Sequence, residues 1–397
     1  MKTSLIRTLA LGTALSFWFG IAGTAQAQAP ARLKLGWLAA TSGPLNLIGG
    51  EQRRGFDVAM EELGNRLGGI PIDVVIGDSK GNPGATVQEV SRLIEKDKVD
   101  LITGISASHE LLAGVKPISD AKVFFVGSNG GPAGLAGEQC SPYYFNASFQ
   151  NEQITDGIGA HMSKAGVKKL YLLAMDYEAG HEHSAAARKG YTGEVAGHVF
   201  TPIAQVDFAA DIAKVRASGA DAVWGFYPGA PGIAFVRQWA QAGLTGKVKL
   251  YSNIALSEPL VFPAQGKTAI GIVVTGHYFA SIDNPENKKF VAAFRAKYNR
   301  DPASYAANQY DAVKLLDAAV RDVKGNIKDQ DAFRAALRKA SFRSVRGAFR
   351  FNQNHQPIQN AYLGVVEEGS NGLFIKMQET IVEAMRDAYQ AKCAMKW

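Results

Sequence analysis

Short apolar segments alternate with amphipathic helical stretches along nearly the whole chain, and this alternation limits the possible folds more than any other feature. Residues 33–38 and 72–76 are apolar runs of strand length, whereas residues 50–67 carry apolar side chains at helical spacing. Apolar strands separated by such helices form parallel sheets that are covered on both faces. The sequence therefore predicts an α/β protein with doubly wound sheets, and its 397 residues suffice for two domains.

The N-terminus has the three parts of a secretory signal peptide. Lys2 and Arg7 provide the positive charge, residues 9–21 are apolar, and residues 25–27 form a small-residue cleavage site. We expect residues 1–27 to be removed and the mature protein to be periplasmic. Because no cysteine stands at the cleavage site, we do not expect a lipoprotein.

Charge and cysteine content point to a soluble exported protein. Cleavage after Ala27 lowers the formal net charge from +7 to +5, which is typical of an ordinary soluble surface and predicts no nucleic-acid partner. Cys140 and Cys393 are the two cysteines of the chain, and we expect them to pair because an oxidising compartment lets disulfides persist. Two buried unpaired thiols remain the alternative, because the sequence does not show whether they meet.

Two neighbouring predicted strands each run into a glycine-rich loop. These loops span residues 104–108 and residues 127–131. In a doubly wound sheet the loops after the strands converge on one edge, where small residues let backbone N–H groups approach a ligand. A helix that follows such a loop adds partial positive charge, which suits a carboxylate. Tight turns without a ligand are the alternative for either loop.

Motifs of common enzymes are missing from the sequence. No GxGxxG follows the first strand, and Gly266-Lys267-Thr268 lacks the first glycine of a P-loop because Val261 stands there. His181-Glu182-His183 does not have the spacing of a helical zinc site. We therefore predict no catalytic activity, no cofactor and no metal.

A series of short motifs resembles the branched-chain-amino-acid-type solute-binding proteins of ABC importers. The motifs are Ser42-Gly43-Pro44 with Gly49, Gly77-Asp78 with Pro83, residues 104–108, residues 176–180, Arg237-Gln238, residues 264–266, Asp283-Asn284-Pro285 and Tyr310-Asp311-Ala312. Their order and spacing, rather than any one of them, carry the resemblance, which covers nearly the whole mature chain.

The resemblance implies a type I periplasmic-binding fold, in which two α/β lobes joined by three hinge crossings clamp a solute. It places lobe one at residues 33–147 plus 276–349 and lobe two at residues 148–275 plus 350–377. The spacing of Ile381, Met385 and Tyr389 predicts a helical tail over residues 378–397. The resemblance also implies a monomer that delivers a small-molecule carboxylate to an inner-membrane ABC permease.

Amino-acid binders of this family hold the α-carboxylate with a serine and backbone groups of lobe one, and the ammonium with an acidic residue of lobe two. Ser108 and Asn129-Gly130 match the carboxylate side, but Ile254 stands where the acidic residue is expected. The implied ligand site comprises Ile48, Ala107, Ser108, Asn129, Gly130, Tyr177, Gly180, His181, Tyr227, Pro228, Gly229, Ile254, His277 and Tyr278.

An ammonium buried without a counter-charge costs several kcal/mol, so Ile254 favours an acid with an apolar body. The chain also resembles the subset of the family that binds aromatic acids such as benzoates and phenylpropenoates. We therefore expect a benzoate- or cinnamate-like ligand. Binding of branched-chain amino acids or amides is the alternative, with Glu258 as the amine partner if the alignment is shifted by four residues. A ligand-sensing receptor subunit of the same fold is another.

Overall fold

The computed structural model describes Met1 and residues 31–396. The predicted signal peptide falls almost wholly on residues 2–30 and so lies outside the described residues. Within the described part of the chain, no helix is both long enough and apolar enough to cross a membrane.

The first sheet has β1 at its centre, with β3 on one side and β4, β5 and β6 on the other, all parallel. The short β2 pairs antiparallel with β3 at the edge. In chain order these strands are β1 (Leu33–Ala39), β2 (Arg66–Leu67), β3 (Ile70–Asp78), β4 (Leu101–Gly104), β5 (Phe124–Gly127) and β6 (Tyr144–Asn146). We call this sheet and its helices lobe one.

The second sheet repeats the pattern, with β7 between β8 and β9, followed by β10 and β11, all parallel. An antiparallel extension then adds β13, which pairs with both β12 and β14. The strands are β7 (Lys169–Met175), β8 (Glu194–Thr201), β9 (Ala222–Phe226), β10 (Lys249–Asn253), β11 (Val273–Gly276), β12 (Arg350–Phe351), β13 (Pro357–Gly369) and β14 (Gly372–Met385). This sheet and its helices form lobe two.

Helices follow most of the parallel strands and cover both faces of the sheets, as the alternating pattern predicts. The helices are α1 (Asn46–Glu62), α2 (Pro83–Ser91), α3 (Ser108–Asp120), α4 (Ala133–Ala136), α5 (Ile158–Lys164), α6 (Glu178–Arg188), α7 (Ala209–Ser218), α8 (Ala230–Gln241), α9 (Phe262–Gln265), α10 (Pro285–Tyr298), α11 (Ser304–Asp322) and α12 (Gln330–Lys339). The chain passes between the lobes after β6, after β11 and after α12, and α11 packs on α1 of lobe one.

This architecture is the type I periplasmic-binding fold with two doubly wound lobes and three crossings. In each parallel sheet the strand order reverses at one point, between β1 and β4 in lobe one and between β7 and β9 in lobe two. Loops diverge at such points and leave a crevice at the carboxyl ends of the strands. The fold thus provides one crevice in each lobe.

The predicted helical tail is wrong, because residues 372–385 form β14 and only a short 3₁₀ turn, Gln390–Lys392, follows. A spacing of four residues puts Ile381 and Met385 on one face of a helix, but it also puts them on one face of a strand. The neighbouring β13 supplies backbone partners along β14, with Gln359 opposite Met385. Cross-strand pairing therefore decided the conformation.

The structure pairs Cys140 with Cys393, as the sequence predicts, with their Cα atoms 5.7 Å apart. Cys140 precedes β6 of lobe one, whereas Cys393 follows β14 of lobe two. The disulfide therefore anchors the end of the lobe-two chain to lobe one.

Candidate ligand-binding site

The two crevices face each other across a cavity of about 420 Å³, a volume that includes open solvent. Lobe one contributes the lobe-one wall, which consists of Ile48, Ser106, Ala107, Ser108, Asn129, Gly130, Ser304 and Tyr305. Lobe two contributes the lobe-two wall, which consists of Tyr177, Ala179, His183, Phe226, Pro228, Ile254 and Ala255. The segment after the first crossing adds Phe149, Asn151 and Ile154.

A sharp turn between β4 and α3 aims the start of α3 at the cavity. Gly104 has φ +116°, and a Cβ there would lie 2.1 Å from the carbonyl oxygen of Leu38. A side chain at this position would therefore clash with backbone, which explains the glycine. Ala107 precedes the helix in an extended conformation and provides no side-chain cap. The first turn of α3 thus presents backbone N–H groups and the positive end of the helix dipole to a ligand.

Ser108 is the first residue of α3, and its hydroxyl is held by Asn151. The Asn151 Nδ2 donates to Ser108 Oγ at 2.9 Å, and Asn151 Oδ1 accepts from the Gly131 N–H at 3.0 Å. Glu182 of α6 fixes this amide in turn, since its Oε2 accepts from Asn151 Nδ2 at 2.8 Å and its Oε1 accepts from the Ala133 N–H at 2.8 Å. Ser108 is therefore oriented by residues from beyond its own helix.

The loop after β5 lies beside Ser108 and is shaped by Gly130. Gly130 has φ +71°, and a Cβ there would lie 3.0 Å from Ser108 Oγ. Asn129 Nδ2 donates to the Ser106 carbonyl oxygen at 2.5 Å. Among the residues that the structure describes, Asn129 Oδ1 is buried without a hydrogen-bond partner. The lack of a side chain at Gly130 therefore leaves space beside Ser108, and the unpaired Asn129 Oδ1 belongs to the same loop.

A buried network of polar side chains supports both loops from below. Ser106 Oγ donates to Gln52 Oε1 at 2.6 Å, and Gln52 Nε2 donates to Ser128 Oγ at 2.8 Å. Ser128 Oγ donates onward to Gln309 Oε1 of α11 at 2.6 Å. Fully paired networks of this kind hold backbone in one arrangement. This network therefore holds the two loops of the lobe-one wall in a fixed arrangement.

The lobe-two wall is apolar and aromatic. Phe226 ends β9, and its ring lies 4.5 Å from that of His183 on α6. Burial lowers the pKa of His183 to about 3, so this ring is neutral at ordinary pH. Its Nδ1 lies 2.9 Å from the Thr155 hydroxyl. Tyr177 packs edge-on against His109 of lobe one, with 5.2 Å between ring centroids.

Within the described residues, the cavity lining contains no Asp, Glu, Lys or Arg side chain. Glu258, the alternative partner for an ammonium, is buried outside this lining. Its Oε2 accepts from both the N–H and the Oγ of Ser304, each at 2.9 Å. Burial raises the pKa of Glu258 to about 8, which favours the neutral acid at pH 7. Glu258 therefore accepts hydrogen bonds from the start of α11 and does not line the cavity.

The structure brings together eight residues of the sequence-based site and leaves six outside. Those that line the cavity are Ile48, Ala107, Ser108, Asn129, Gly130, Tyr177, Pro228 and Ile254. Those that do not are Gly180, His181, Tyr227, Gly229, His277 and Tyr278.

Local periodicity explains three of these six. On α6, Ala179 and His183 are four residues apart and face the cavity, so Gly180 and His181 are rotated away from it. His181 instead contacts Asp176, with 2.9 Å between Nε2 and Oδ1. At the end of β9, Phe226 faces the cavity, and the next residue, Tyr227, points into the core.

The other three serve neighbouring contacts. Gly229 has φ +74° and precedes α8. His277 Nε2 lies 2.7 Å from Asn308 Oδ1, and its ring packs behind Phe149 at 4.9 Å. The Tyr278 hydroxyl donates to Asn287 at 2.9 Å. His277 therefore packs against Phe149 of the lining and Tyr278 contacts Asn287, and neither residue lines the cavity itself.

The sequence-based site omitted several lining residues. They are Ser106, Phe149, Asn151, Ile154, Ala179, His183, Phe226, Ala255, Ser304 and Tyr305. Phe226 could have been found from the sequence, because it is the last residue of an apolar strand and such strand ends lie at the cavity. Ser304 and Tyr305 have no such signal, because tertiary packing brings α11 to the cavity from about two hundred residues beyond Ser108.

Two lobes with a ligand cavity at their facing switch points define a clamshell solute-binding protein. The chain matches the family of periplasmic binding proteins over residues 32–372 and belongs to it.

Relatives of known structure include two solute-binding proteins of ABC transporters from R. palustris. One, in complex with benzoate, is 30% identical with a TM-score of 0.87, covering 92% of this chain and 100% of that chain. Another, in complex with 4-hydroxybenzoate, is 29% identical with a TM-score of 0.83, covering 89% of this chain and 98% of that chain. The "Leu/Ile/Val-binding protein homolog 6" of Brucella melitensis is 27% identical over 365 residues, covering 89% of this chain and 93% of that protein.

Proposed function

We propose that this periplasmic solute-binding protein captures a small aromatic carboxylic acid of the benzoate type and delivers it to an ABC importer. The observation that carries the proposal is the difference between the two walls of the cavity. The lobe-one wall offers the Ser108 hydroxyl and the first turn of α3, whereas the lobe-two wall offers Phe226, Pro228 and Ile254.

Each part of such an acid has a matching surface. The carboxylate accepts hydrogen bonds from Ser108 and from backbone N–H groups at the helix start, where the helix dipole favours negative charge. The ring lies between the apolar side chains of lobe two, which gain by being removed from water. Binding is completed when the lobes close over the ring. Support also comes from the two R. palustris relatives, which were solved with benzoate and 4-hydroxybenzoate.

Branched-chain amino acids are the second candidate, favoured by the name of the Brucella melitensis relative. Their ammonium group would lie near Ile254, where the described lining supplies no carboxylate. An unpaired buried ammonium costs several kcal/mol, which makes an amino acid the weaker ligand.

The proposal also includes export by a cleaved signal peptide, a non-lipidated monomer, and an inner-membrane permease as partner.

A thermal-shift panel of benzoate, 4-hydroxybenzoate, cinnamate, leucine and acetamide tests the proposal. A ligand at 100 times its dissociation constant stabilises the folded state by about 2.7 kcal/mol. We expect a benzoate to give the largest rise in melting temperature and leucine to give none. A rise with leucine alone would contradict the proposal and favour the amino-acid alternative.

A further inference from the structure

A second cavity lies next to the proposed ligand cavity, on the other side of Ile254. It measures about 910 Å³, a volume that includes open solvent. Its lining is mixed: Tyr278 and Phe279 of lobe one and Phe374 and Ile375 of β14 form an apolar part, and the ion-paired Arg295 and Asp301 also line it. Among the described residues, only Ile254 and Ser304 line both cavities. These two residues are therefore the partition between the cavities.

Ile254 is fixed by backbone and side-chain contacts. Its N–H donates to the carbonyl oxygen of Thr275 at 2.7 Å, and its side chain is 2% exposed. A Cβ added to Gly276 would lie 3.1 Å from the Ile254 Cβ and 3.3 Å from its Cδ1. Ile254 thus rests on a glycine, and its side chain has little room to move away from a ligand.

Ser304 is fixed from across the cleft. Its N–H and its hydroxyl both donate to Glu258 Oε2 at 2.9 Å. Ser304 begins α11, and the preceding Ala303 provides no side-chain cap, so the Glu258 carboxyl takes that role from lobe two. Each half of the partition is therefore held by buried contacts, and the partition contains one residue from each lobe.

We infer that Ile254 and Ser304 set the maximum length of the ligand, admitting single-ring acids and excluding acids whose body extends into the second cavity. The inference rests on the proposed function. The apolar part of the second cavity, around Phe279 and Phe374, can hold such an extension, and the partition separates it from the ligand cavity. Shortening Ile254 should therefore admit a longer acid rather than merely weaken binding.

Titration calorimetry on the full mature chain tests this with benzoate and biphenyl-4-carboxylate as probes. We expect the wild-type protein to bind benzoate at least about tenfold more tightly than the biphenyl acid. In Ile254→Ala, we expect the ratio of the two dissociation constants to shift by at least about tenfold toward the biphenyl acid. Ile254→Val should shift it in the same direction by less, and it preserves the fold if the alanine variant does not.

Ile48→Ala is the matched control, since Ile48 is also 2% exposed and lines the ligand cavity but not the second one. It should weaken benzoate binding without favouring the longer acid. Equal changes for both acids in Ile254→Ala, or equal affinities in the wild type, would overturn the partition. Leucine binding with no response to either acid would instead contradict the proposed function, and the partition with it.

Discussion

The two walls of the ligand cavity are built by the same kind of turn but differ in chemistry. Both are built mainly from residues at or just after the carboxyl ends of parallel strands. In lobe one the turn after β4 leads to Ser108 and uncapped backbone N–H groups, whereas in lobe two the end of β9 presents Phe226 and the turn after β10 presents Ile254. The topology thus fixes where a ligand can lie, and the side chains decide which end of it faces which lobe.

The comparison also shows why the site needs both lobes. Ser108 of lobe one is held by Asn151, which Glu182 of lobe two holds in turn. Ser304 of lobe one is held by Glu258 of lobe two. Each lobe therefore stabilises polar groups of the other, and the cavity contains groups from both lobes.

A carboxylate placed in the lobe-two wall should remove the chemical difference between the two walls. Ile254→Glu puts a charge where the ring is expected to lie, and we expect benzoate binding to weaken by about 3 to 5 kcal/mol, or more than about 100-fold. Calorimetry measures the loss, with circular dichroism to check the fold. Ile270→Glu, at an exposed position of the same lobe, is the control and should leave binding intact. Retained affinity in Ile254→Glu would place the ring elsewhere.

Removing the disulfide tests whether the relative position of the two walls depends on a covalent link between the lobes. In Cys140→Ser/Cys393→Ser we expect the free energy of unfolding to fall by about 2 to 5 kcal/mol, because the bond constrains the unfolded chain. Benzoate affinity should hardly change, since the hydrogen bonds across the cleft remain. Urea unfolding and calorimetry measure the two quantities. Two reactive thiols in the unfolded, unreduced wild-type protein would show that the cysteines do not pair.

Truncating the serine tests the lobe-one wall alone. We expect Ser108→Ala to weaken benzoate binding by about 1.5 to 3 kcal/mol, the usual worth of a hydrogen bond to a charged group. Ser119→Ala, near the other end of α3, should leave affinity unchanged. Calorimetry on both variants makes the comparison, and equal affinity in the two would remove Ser108 from the site.

The smallest expected effect is a pH dependence that belongs to lobe one. Burial raises the pKa of Glu110, in the first turn of α3, to about 7, although the Thr86 hydroxyl, which donates to Glu110 Oε1 at 3.4 Å, opposes the shift. As pH rises through 7, Glu110 ionises and repels the ligand carboxylate. We expect benzoate affinity to fall several-fold between pH 6 and pH 8, and Glu110→Gln to flatten the profile. A flat wild-type profile would refute this role for Glu110.

The lobe-one wall was easier to predict from sequence than the lobe-two wall. Most of its residues lie within two short glycine-rich loops, and the family resemblance pointed to Ser108, Asn129 and Gly130 within them. Predicting the lobe-two wall requires knowing, at the end of each strand or helix, which face of that element a side chain lies on. The sequence favoured Tyr227, but the strand alternation placed Phe226 at the cavity instead.

Tertiary packing accounts for what the sequence could not show. Asn151 and Ser304 reach the cavity only because the crossings bring distant segments together. The prediction of a helical tail was wrong for a similar reason, because β14 is stabilised by pairing with β13 and its own residue spacing did not decide its conformation. The fold class, by contrast, followed from an alternating pattern that holds along the whole chain, and the disulfide followed from two cysteines in an exported protein.

A crystal structure of the mature protein with 4-bromobenzoate would show which way the acid lies in the cavity, because bromine is located by its anomalous scattering. We expect carboxylate oxygens within hydrogen-bond distance of Ser108 and of backbone N–H groups at the start of α3. We expect the bromine at the opposite end of the cavity, in contact with the apolar side chains around Ile254. A reversed ligand with bromine beside Ser108, or a ligand bound outside this cavity, would contradict this expectation.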